Sequence, residues 1–295
     1  MAASASQPPS ADPGPLPRAP ARPVDGHKGT FGTVIIVGGC ATMPGAPALC
    51  ARAAIRGGAG LVRIAALPKV LAMSLVIEPH ATGIELPEQP QPGWLDAHDP
   101  ARRAVLAVGP GLSTAPFARD ALTGLLDDPR AMIMDADGLN LLAELGPTQI
   151  APRPDTDIGP RILTPHPGEF ARLAEAMDIP PVGRDSDSRR TGAQTLAQRL
   201  GAGAVVVLKG ADTVITDGTR AAINPTGHPA LAVGGSGDVL TGLIAALLAQ
   251  GMAPFDAARL GAWMHGAAAQ LWATRRGPAG LRAIELADLL PHVRR

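Results

Sequence analysis

Along most of the chain, short apolar runs alternate with longer stretches in which apolar residues recur at helical spacing. Thr33-Val-Ile-Ile-Val37 is a continuous β-branched run closed by Gly38-Gly39, the pattern of a strand buried on both faces. Ala48–Arg56 reads as a helix ended by Gly57-Gly58, and Leu61–Ala65 as the next strand. Strand, helix, strand in this order is a βαβ unit, which builds parallel sheets with right-handed crossovers. The alternation continues with a helix over Pro68–Ile77, a weak strand over His80–Leu86 and a clear strand over Ala104–Val108. A helix over about Ala115–Leu126, a strand over Ala131–Met134 and a helix ending at Leu145 follow. Arg161–Thr164 predicts another strand, with helices to about Met177 and over Ser186–Leu200. Ala204–Leu208 is the next strand, and Thr216-Asp-Gly-Thr219 turns between Val214–Thr216 and Ala221–Asn224 as a hairpin. Helices over about Ser236–Gln250, Pro254–Thr274 and Leu281–Leu290 complete the pattern. The fold class is α/β: an α/β/α sandwich around a mostly parallel sheet.

Residues 1–25 break this pattern. They are Ala, Ser and Pro with hardly any large apolar side chain, a composition that predicts disorder. The folded domain is expected over 26–295. Aromatic residues are only 2% of the chain and Tyr is absent, so the core must be built from Ala, Val, Leu and Ile. That scarcity, with zero formal net charge, argues against a nucleic-acid partner. Cys40 and Cys50 form no metal-binding or redox spacing and read as reduced thiols. No apolar run is long enough to span a membrane, and the N-terminus lacks a signal pattern, so a cytoplasmic protein is expected.

The chemistry is expected where Gly- and Asp-rich turns follow strand ends: Gly38-Gly39, Gly109-Pro-Gly111, Asp135-Ala-Asp137, Pro165-His-Pro-Gly168 and Lys209-Gly210. Ligands bind along that edge of an open parallel sheet. The most informative stretch is Gly234-Gly-Ser-Gly-Asp238, running into the Ala/Leu-rich helix. Glycines let a ligand approach the backbone, and a helix N-terminus attracts phosphate. Asp238 in that turn has two readings: stabiliser of the helix terminus, or a base that takes a proton from a hydroxyl about to receive a phosphoryl group. Asp135 and Asp137 fit either a cation or a helix cap. His166 fits an anionic ligand or a plain surface position, and Lys209 fits a phosphate or a solvated strand end. Walker-type, dinucleotide-fingerprint and nucleophile-elbow motifs are all absent.

Together these pieces resemble the ADP- or ATP-dependent NAD(P)H-hydrate dehydratases of the ribokinase-like superfamily. The matching segments are His27-Lys-Gly-Thr-Phe-Gly32, Met43-Pro-Gly-Ala46, Gly109-Pro-Gly111, Asp135–Asn140, Thr164-Pro-His-Pro-Gly-Glu169, Leu208-Lys-Gly210 and Gly234–Gly242, in the family's order. The resemblance implies a ribokinase-like fold and dehydration of the S-epimer of hydrated NADH or NADPH. Cleavage of ADP, or ATP in some members, with Mg2+ would drive it. It implies Asp238 as catalytic base and substrate contact, with Ala46, Gly111 and His166 as further contacts to the hydrated dinucleotide. Lys209, Gly210, Ala211, Asp212 and Thr213 would bind the adenine nucleotide, with Gly234, Gly235, Ser236 and Gly237 lining its phosphates. It also implies a separate epimerase partner, while the Ala- and Leu-rich helices leave room for a homo-oligomer, a tetramer being one form. One departure is His228-Pro-Ala-Leu-Ala232, where the family commonly has an Asn-Pro-Gly-Met-Ala type segment. The competing expectations are a small-molecule kinase acting on a vitamin-precursor alcohol, and a nucleotide-binding relative without turnover.

Overall fold

The computed structural model describes residues 13–146 and 158–295. Nine strands form one sheet in the order β3-β2-β1-β4-β5-β6-β7-β8-β9. They are β1 (Thr33–Val37), β2 (Leu61–Ala66), β3 (Thr82–Glu85), β4 (Val105–Val108), β5 (Met132–Met134), β6 (Arg161–Leu163), β7 (Ala204–Leu208), β8 (Val214–Thr216) and β9 (Ala221–Ile223). Every pairing from β3 across to β7 is parallel. The β7–β8 and β8–β9 pairings are antiparallel. The helix expected over Ala115–Leu126 is shorter, Pro116–Thr123, and the weak strand narrows to β3.

Strand residues alternate between two apolar layers. Val34, Ile36, Val105 and Ala107 face the helices Gly45–Gly57, Ser236–Ala249, Pro254–Arg276 and Ala283–Leu289. Ile35, Val37, Leu106 and Val108 face Pro116–Thr123, Asp137–Leu145, Pro167–Ala176 and Ser186–Leu200. This is why the run in β1 is apolar without a break: both of its faces are covered. On the first side, small residues draw the helices together. A Cβ on Gly242 would sit 2.0 Å from the Cys50 carbonyl oxygen. The Ser236–Ala249 helix is thereby pressed against the Gly45–Gly57 helix, which fixes where its N-terminus emerges.

The chain runs outward from β1 to β3 and then returns to place β4 on the other side of β1. That reversal opens a crevice at the strand C-termini. Gly38 and Gly39 at the end of β1 meet the Gly109-Pro-Gly111 turn there, with the Gly39 amide donating to the Pro110 carbonyl at 2.8 Å.

The N-terminal segment differs from its compositional expectation. Residues 1–12 lie outside the described residues, but residues 13–25 lie along the folded body. Arg259 donates to the carbonyls of Pro13, Gly14 and Pro15 at 2.6–3.2 Å. The Ala19 amide donates to the Arg295 carbonyl, and Arg294 donates to that of Pro20. Arg22 donates to Gly58 and stacks 3.6 Å from the Phe31 ring centroid. Proline offers no N–H, yet its carbonyl is a full acceptor, and arginines supply the donors that composition alone did not reveal. Removal of residues 1–25 is expected to lower Tm by a few degrees, read by thermal melting, because it uncovers the Arg259 guanidinium. Among the described residues no helix is long and apolar enough to cross a membrane.

Candidate active site

The centre of the site is the first turn of the Ser236–Ala249 helix. Gly235 precedes it in the left-handed region (φ 84°), and no side chain caps this N-terminus. Its leading N–H groups therefore keep their capacity to bind an anion. The glycines of the loop have different reasons to be glycine. At Gly235 a side chain would strain the backbone and strike Leu49 at 2.7 Å. At Gly237 a Cβ would sit 3.3 Å from Asp135 Oδ2 and 3.4 Å from Lys209 Nζ. Gly234 stands in open space.

Asp135, at the end of β5, is buried and holds two partners. Lys209 Nζ donates to Oδ1 at 2.6 Å, and Thr241 Oγ1 donates to Oδ2 at 2.8 Å. Lys209 Nζ also lies 3.7 Å from Glu169 Oε2. Burial pulls the Lys209 pKa down, but Asp135 and Glu169 outweigh it and hold the ammonium above its ordinary value. Glu169 is pushed up by burial, with Lys209 opposing and Asp135 adding to the shift. Asp238 is partly buried beside this group. Burial raises its carboxyl first and Asp135 and Asp137 raise it further; against the opposing pull of Lys209, it settles at about 7. A carboxyl poised there is suited to accept a proton near neutral pH.

The neighbouring turns support this geometry. Gly109 (φ 119°) lies so close to Asp135 that a Cβ would be 1.9 Å from its carbonyl oxygen. Ala136, between the two aspartates, has φ 49° and ψ −119°, a conformation normally left to glycine. Asp135 does not cap the following helix; it is the counter-charge of Lys209. Asp137 opens that helix and accepts the Ser113 amide at 2.7 Å. Gly111 (φ 60°) abuts Ala46, where a Cβ would meet the alanine methyl at 2.9 Å.

His166 caps the Pro167–Ala176 helix. Its Nδ1 accepts from the Gly168 and Glu169 amides, and the His166 amide in turn donates to Glu169 Oε2 at 2.7 Å. Nε2 lies 3.2 Å from Glu169 Oε1. With Nδ1 accepting, the ring is the neutral Nε2–H tautomer, and what it offers a ligand is its half-exposed ring surface. Gly210–Thr213 forms its own turn: Thr213 Oγ1 accepts the Gly210 amide and donates to the Gly210 carbonyl. Ser186 Oγ donates to Asp212 at 3.0 Å, and Arg189 donates to the carbonyls of Leu208 and Lys209 at 3.1 Å. The structure thus gathers Asp238, Gly237 and Lys209 around Asp135, sets Ala46 against Gly111, and links His166 to Lys209 through Glu169. The Gly210–Thr213 turn is tied to the Ser186–Leu200 helix rather than to the glycine loop.

The sequence offers Asp135 as a cation ligand or helix cap rather than as the partner of Lys209, and it gives no role to Glu169 or Thr241, although both stand in matching segments. A cavity of about 520 Å³ between the Asp137–Leu145 and Pro167–Ala176 helices is lined by residues including Asn140, Glu144 and Arg172. None of the groups just described lines it, so the chemistry converges elsewhere. Among the described residues no three His, Cys, Asp or Glu side chains gather as a metal cage.

An uncapped, glycine-led helix terminus with a buried carboxylate thus stands at the C-terminal edge of a mostly parallel sheet, and the fold that carries it is ribokinase-like. A ribokinase-like protein of Enterococcus faecalis shares the fold with TM-score 0.76 over 93% of this chain and 90% of its own, at 22% identity. The family model described as NAD(P)H-hydrate dehydratase matches residues 34–292, and the chain belongs to that family. It is 44% identical over 292 residues to a bifunctional NAD(P)H-hydrate repair enzyme of Moorella thermoacetica. That match covers 94% of this chain and 52% of the relative, so the chain spans about half the length of such bifunctional proteins. It is 41% identical to an ADP-dependent (S)-NAD(P)H-hydrate dehydratase of Neisseria meningitidis, covering 90% of this chain and 86% of that one. The crystal structure of an ADP/ATP-dependent NAD(P)H-hydrate dehydratase from Bacillus subtilis, co-crystallised with ATP/Mg2+, aligns with TM-score 0.74 and 33% identity over 94% and 93% of the two chains.

Proposed function

We propose that this protein dehydrates the S-epimer of hydrated NADH or NADPH, with ADP, or ATP, as the phosphoryl donor. The observation that carries the reading is Asp238, poised at about 7 in the first turn of an uncapped helix and beside the Asp135–Lys209 pair. Hydroxide is a poor leaving group from the hydrated ring. Asp238 accepts the proton of the ring hydroxyl as its oxygen attacks the terminal phosphoryl group of the nucleotide, and the bond from that phosphorus to the bridging oxygen breaks to release AMP from ADP. The ring-nitrogen lone pair then expels phosphate as the neighbouring C–H proton departs, and the reduced nicotinamide is restored. The amides at Gly234–Gly237 stabilise charge on the transferring group, and Lys209 adds a fixed positive charge. Ala46, Gly111 and the ring of His166 line the side that takes the dinucleotide, and Lys209–Thr213 the side that takes the nucleotide.

Mg2+ fits this donor set without a protein cage, since it is commonly held by phosphate oxygens, waters and one or two carboxylates; with Asp238 engaged as the base, Glu169, beside Lys209, would be the carboxylate to hold it. When bound it would offset phosphate charge. The catalytic unit in this reading is 26–295, located in the cytoplasm and working with a separate epimerase. The exposed apolar side chains of Met73, Val76 and Ile77 on one helix support a homo-oligomer.

The test is absorbance of the reduced nicotinamide after mixing protein, Mg2+ and hydrated NADH with ADP or ATP. Recovery that requires nucleotide supports the reading and identifies the donor; accumulation of a stable phosphorylated alcohol would replace it with a kinase. A pH series gives a second check. The base must be deprotonated, so kcat/KM is expected to rise with pH through about 7 and level off above it. A rate independent of pH between 6 and 8 (roughly one unit either side) would remove Asp238 as the titrating base.

A further inference from the structure

We infer that His265 is a positioning residue that holds the anion-binding turn by a backbone carbonyl, without occupying any N–H group the turn offers the nucleotide. His265 lies on the Pro254–Arg276 helix, outside all of the motifs that mark the site, and is 9% exposed. Its Nε2 is 2.9 Å from the carbonyl oxygen of Ser236, the first residue of the helix that carries Asp238. A carbonyl can only accept, so Nε2 is the protonated nitrogen of a neutral ring. Burial favours that neutral form, pushing the pKa down to about 4; the Ser236 carbonyl opposes this shift and the Lys209 ammonium adds to it.

A helix N-terminus is ordinarily fixed by a side-chain cap that accepts one of its leading N–H groups. Here such a cap is absent, and a cap would occupy the donors a phosphate needs. The turn's own chain ties it at Ser236, whose hydroxyl and amide both donate to the Val233 carbonyl at 3.1 and 3.4 Å, while Gly234 stands in open space and Gly235 keeps the conformational freedom of glycine. Its further anchors reach it from elsewhere: Thr241 bonds Asp135 from within the helix, and His265 bonds Ser236 from the neighbouring helix.

The base from which His265 projects is itself locked. Thr226 Oγ1 donates to the Trp263 carbonyl at 2.8 Å, and Asn224 Nδ2 donates to that of Ala262 at 3.1 Å. A Cβ on Gly266 would fall 2.4 Å from Thr226 Oγ1, so this helix and the segment leading into the glycine loop are in direct contact. The locked helix thus helps to set the position of the glycine-led turn through the His265–Ser236 hydrogen bond.

The proposal rests on the dehydratase reading only for its effect on kcat; nucleotide affinity tests it independently. His265→Leu keeps the bulk and removes the donor. His265→Gln returns an N–H donor at about the reach of Nε2, whereas His265→Asn is too short. In the Leu variant kcat is expected to fall roughly 10- to 100-fold, the scale of a misplacement of about 1 Å, with KM for the hydrated dinucleotide changed less than about threefold. Affinity for a fluorescent ADP, read by anisotropy, is expected to weaken about tenfold, the size of one lost well-formed hydrogen bond. Gln is expected to recover most of both losses and Asn little. A folded Leu variant with wild-type kcat and ADP affinity overturns the proposal, as does a Gln variant no better than Leu. Should Leu fail to fold, the Gln–Asn comparison decides, and equal values for the two overturn it. A wild-type protein that binds ADP but leaves hydrated NADH unchanged removes the dehydratase reading alone; the ADP affinities of the variants then judge His265.

Discussion

Asp238→Asn is expected to lower kcat by about 10²–10⁴-fold, the usual range for loss of a general base, while ADP binding survives. Asn is nearly isosteric, so the turn and its amides stay in place, and only the proton acceptor is removed. The same substitution should make the protein more stable. The folded-state pKa of Asp238 is raised from 3.8 to about 7, chiefly by burial and next by Asp135. A carboxyl with a raised folded-state pKa opposes folding when it ionises. That penalty is absent below the unfolded value, grows as pH rises between 3.8 and about 7, and is constant above. Discounted for partial solvent access, it amounts to about 2 kcal/mol at pH 8. Asp238→Asn should therefore raise Tm by several degrees at pH 8, and the gain should shrink as the pH is lowered toward 5. Steady-state kinetics, ADP titration and thermal melts at two pH values read all of this. Unchanged kcat would end the base assignment; loss of ADP binding together with activity would make Asp238 a nucleotide contact instead. A constant stability difference across pH would mean that its carboxyl is not strained by its surroundings.

The reasons this site was partly legible in the sequence are physical. Backbone demands leave residue-type signatures: Gly235 and Gly111 must adopt positive φ, and the sequence shows them as glycines in turns after strands or before a helix. The unbroken apolar run of β1 and the helix-ending Gly57-Gly58 were readable for the same reason, since burial on two faces and a left-handed helix end each restrict residue choice. Charge partners leave no such trace. Lys209 and Asp135 are 74 positions apart, and Thr241 and Asp135 are 106 apart. Only the strand order that sets β5 and β7 on either side of β6, beneath one helix terminus, brings them together. Asp135 therefore reads as a helix cap or a cation ligand, and Lys209 as a phosphate contact or a solvated strand end. His265 is one histidine in a helix rich in alanine, and nothing in its neighbours announces Ser236. The N-terminal segment shows the converse. Its composition was read correctly as poor in apolar residues, but arginines far along the chain supply partners for its carbonyls.

Lys209→Met should produce the largest loss of stability among substitutions in the site, about 3–5 kcal/mol. Methionine fills the same volume, but it leaves Asp135, whose side chain is 2% exposed, without the ammonium at 2.6 Å. Thr241 would remain as a neutral donor, too little to hold a buried carboxylate in its charged form. Removing both charges in Lys209→Met with Asp135→Leu should recover most of the stability, because a well-packed apolar pair replaces the ion pair, yet it should not recover turnover. The single substitution also changes the chemistry at a distance. Lys209 is the one group named here that pulls the Asp238 pKa down, against burial, Asp135 and Asp137. Without it, Asp238 should hold its proton to higher pH, and the acid limb of residual kcat/KM should move to the alkaline side of 7. Urea denaturation of the single and double variants, with a pH–rate series on the single one, separates the two effects. A Lys209→Met protein of wild-type stability would mean that Asp135 does not depend on this ammonium. An acid limb that stays in place would mean that Asp238 does not sense it, and the base would then owe its poise to burial and the two neighbouring aspartates.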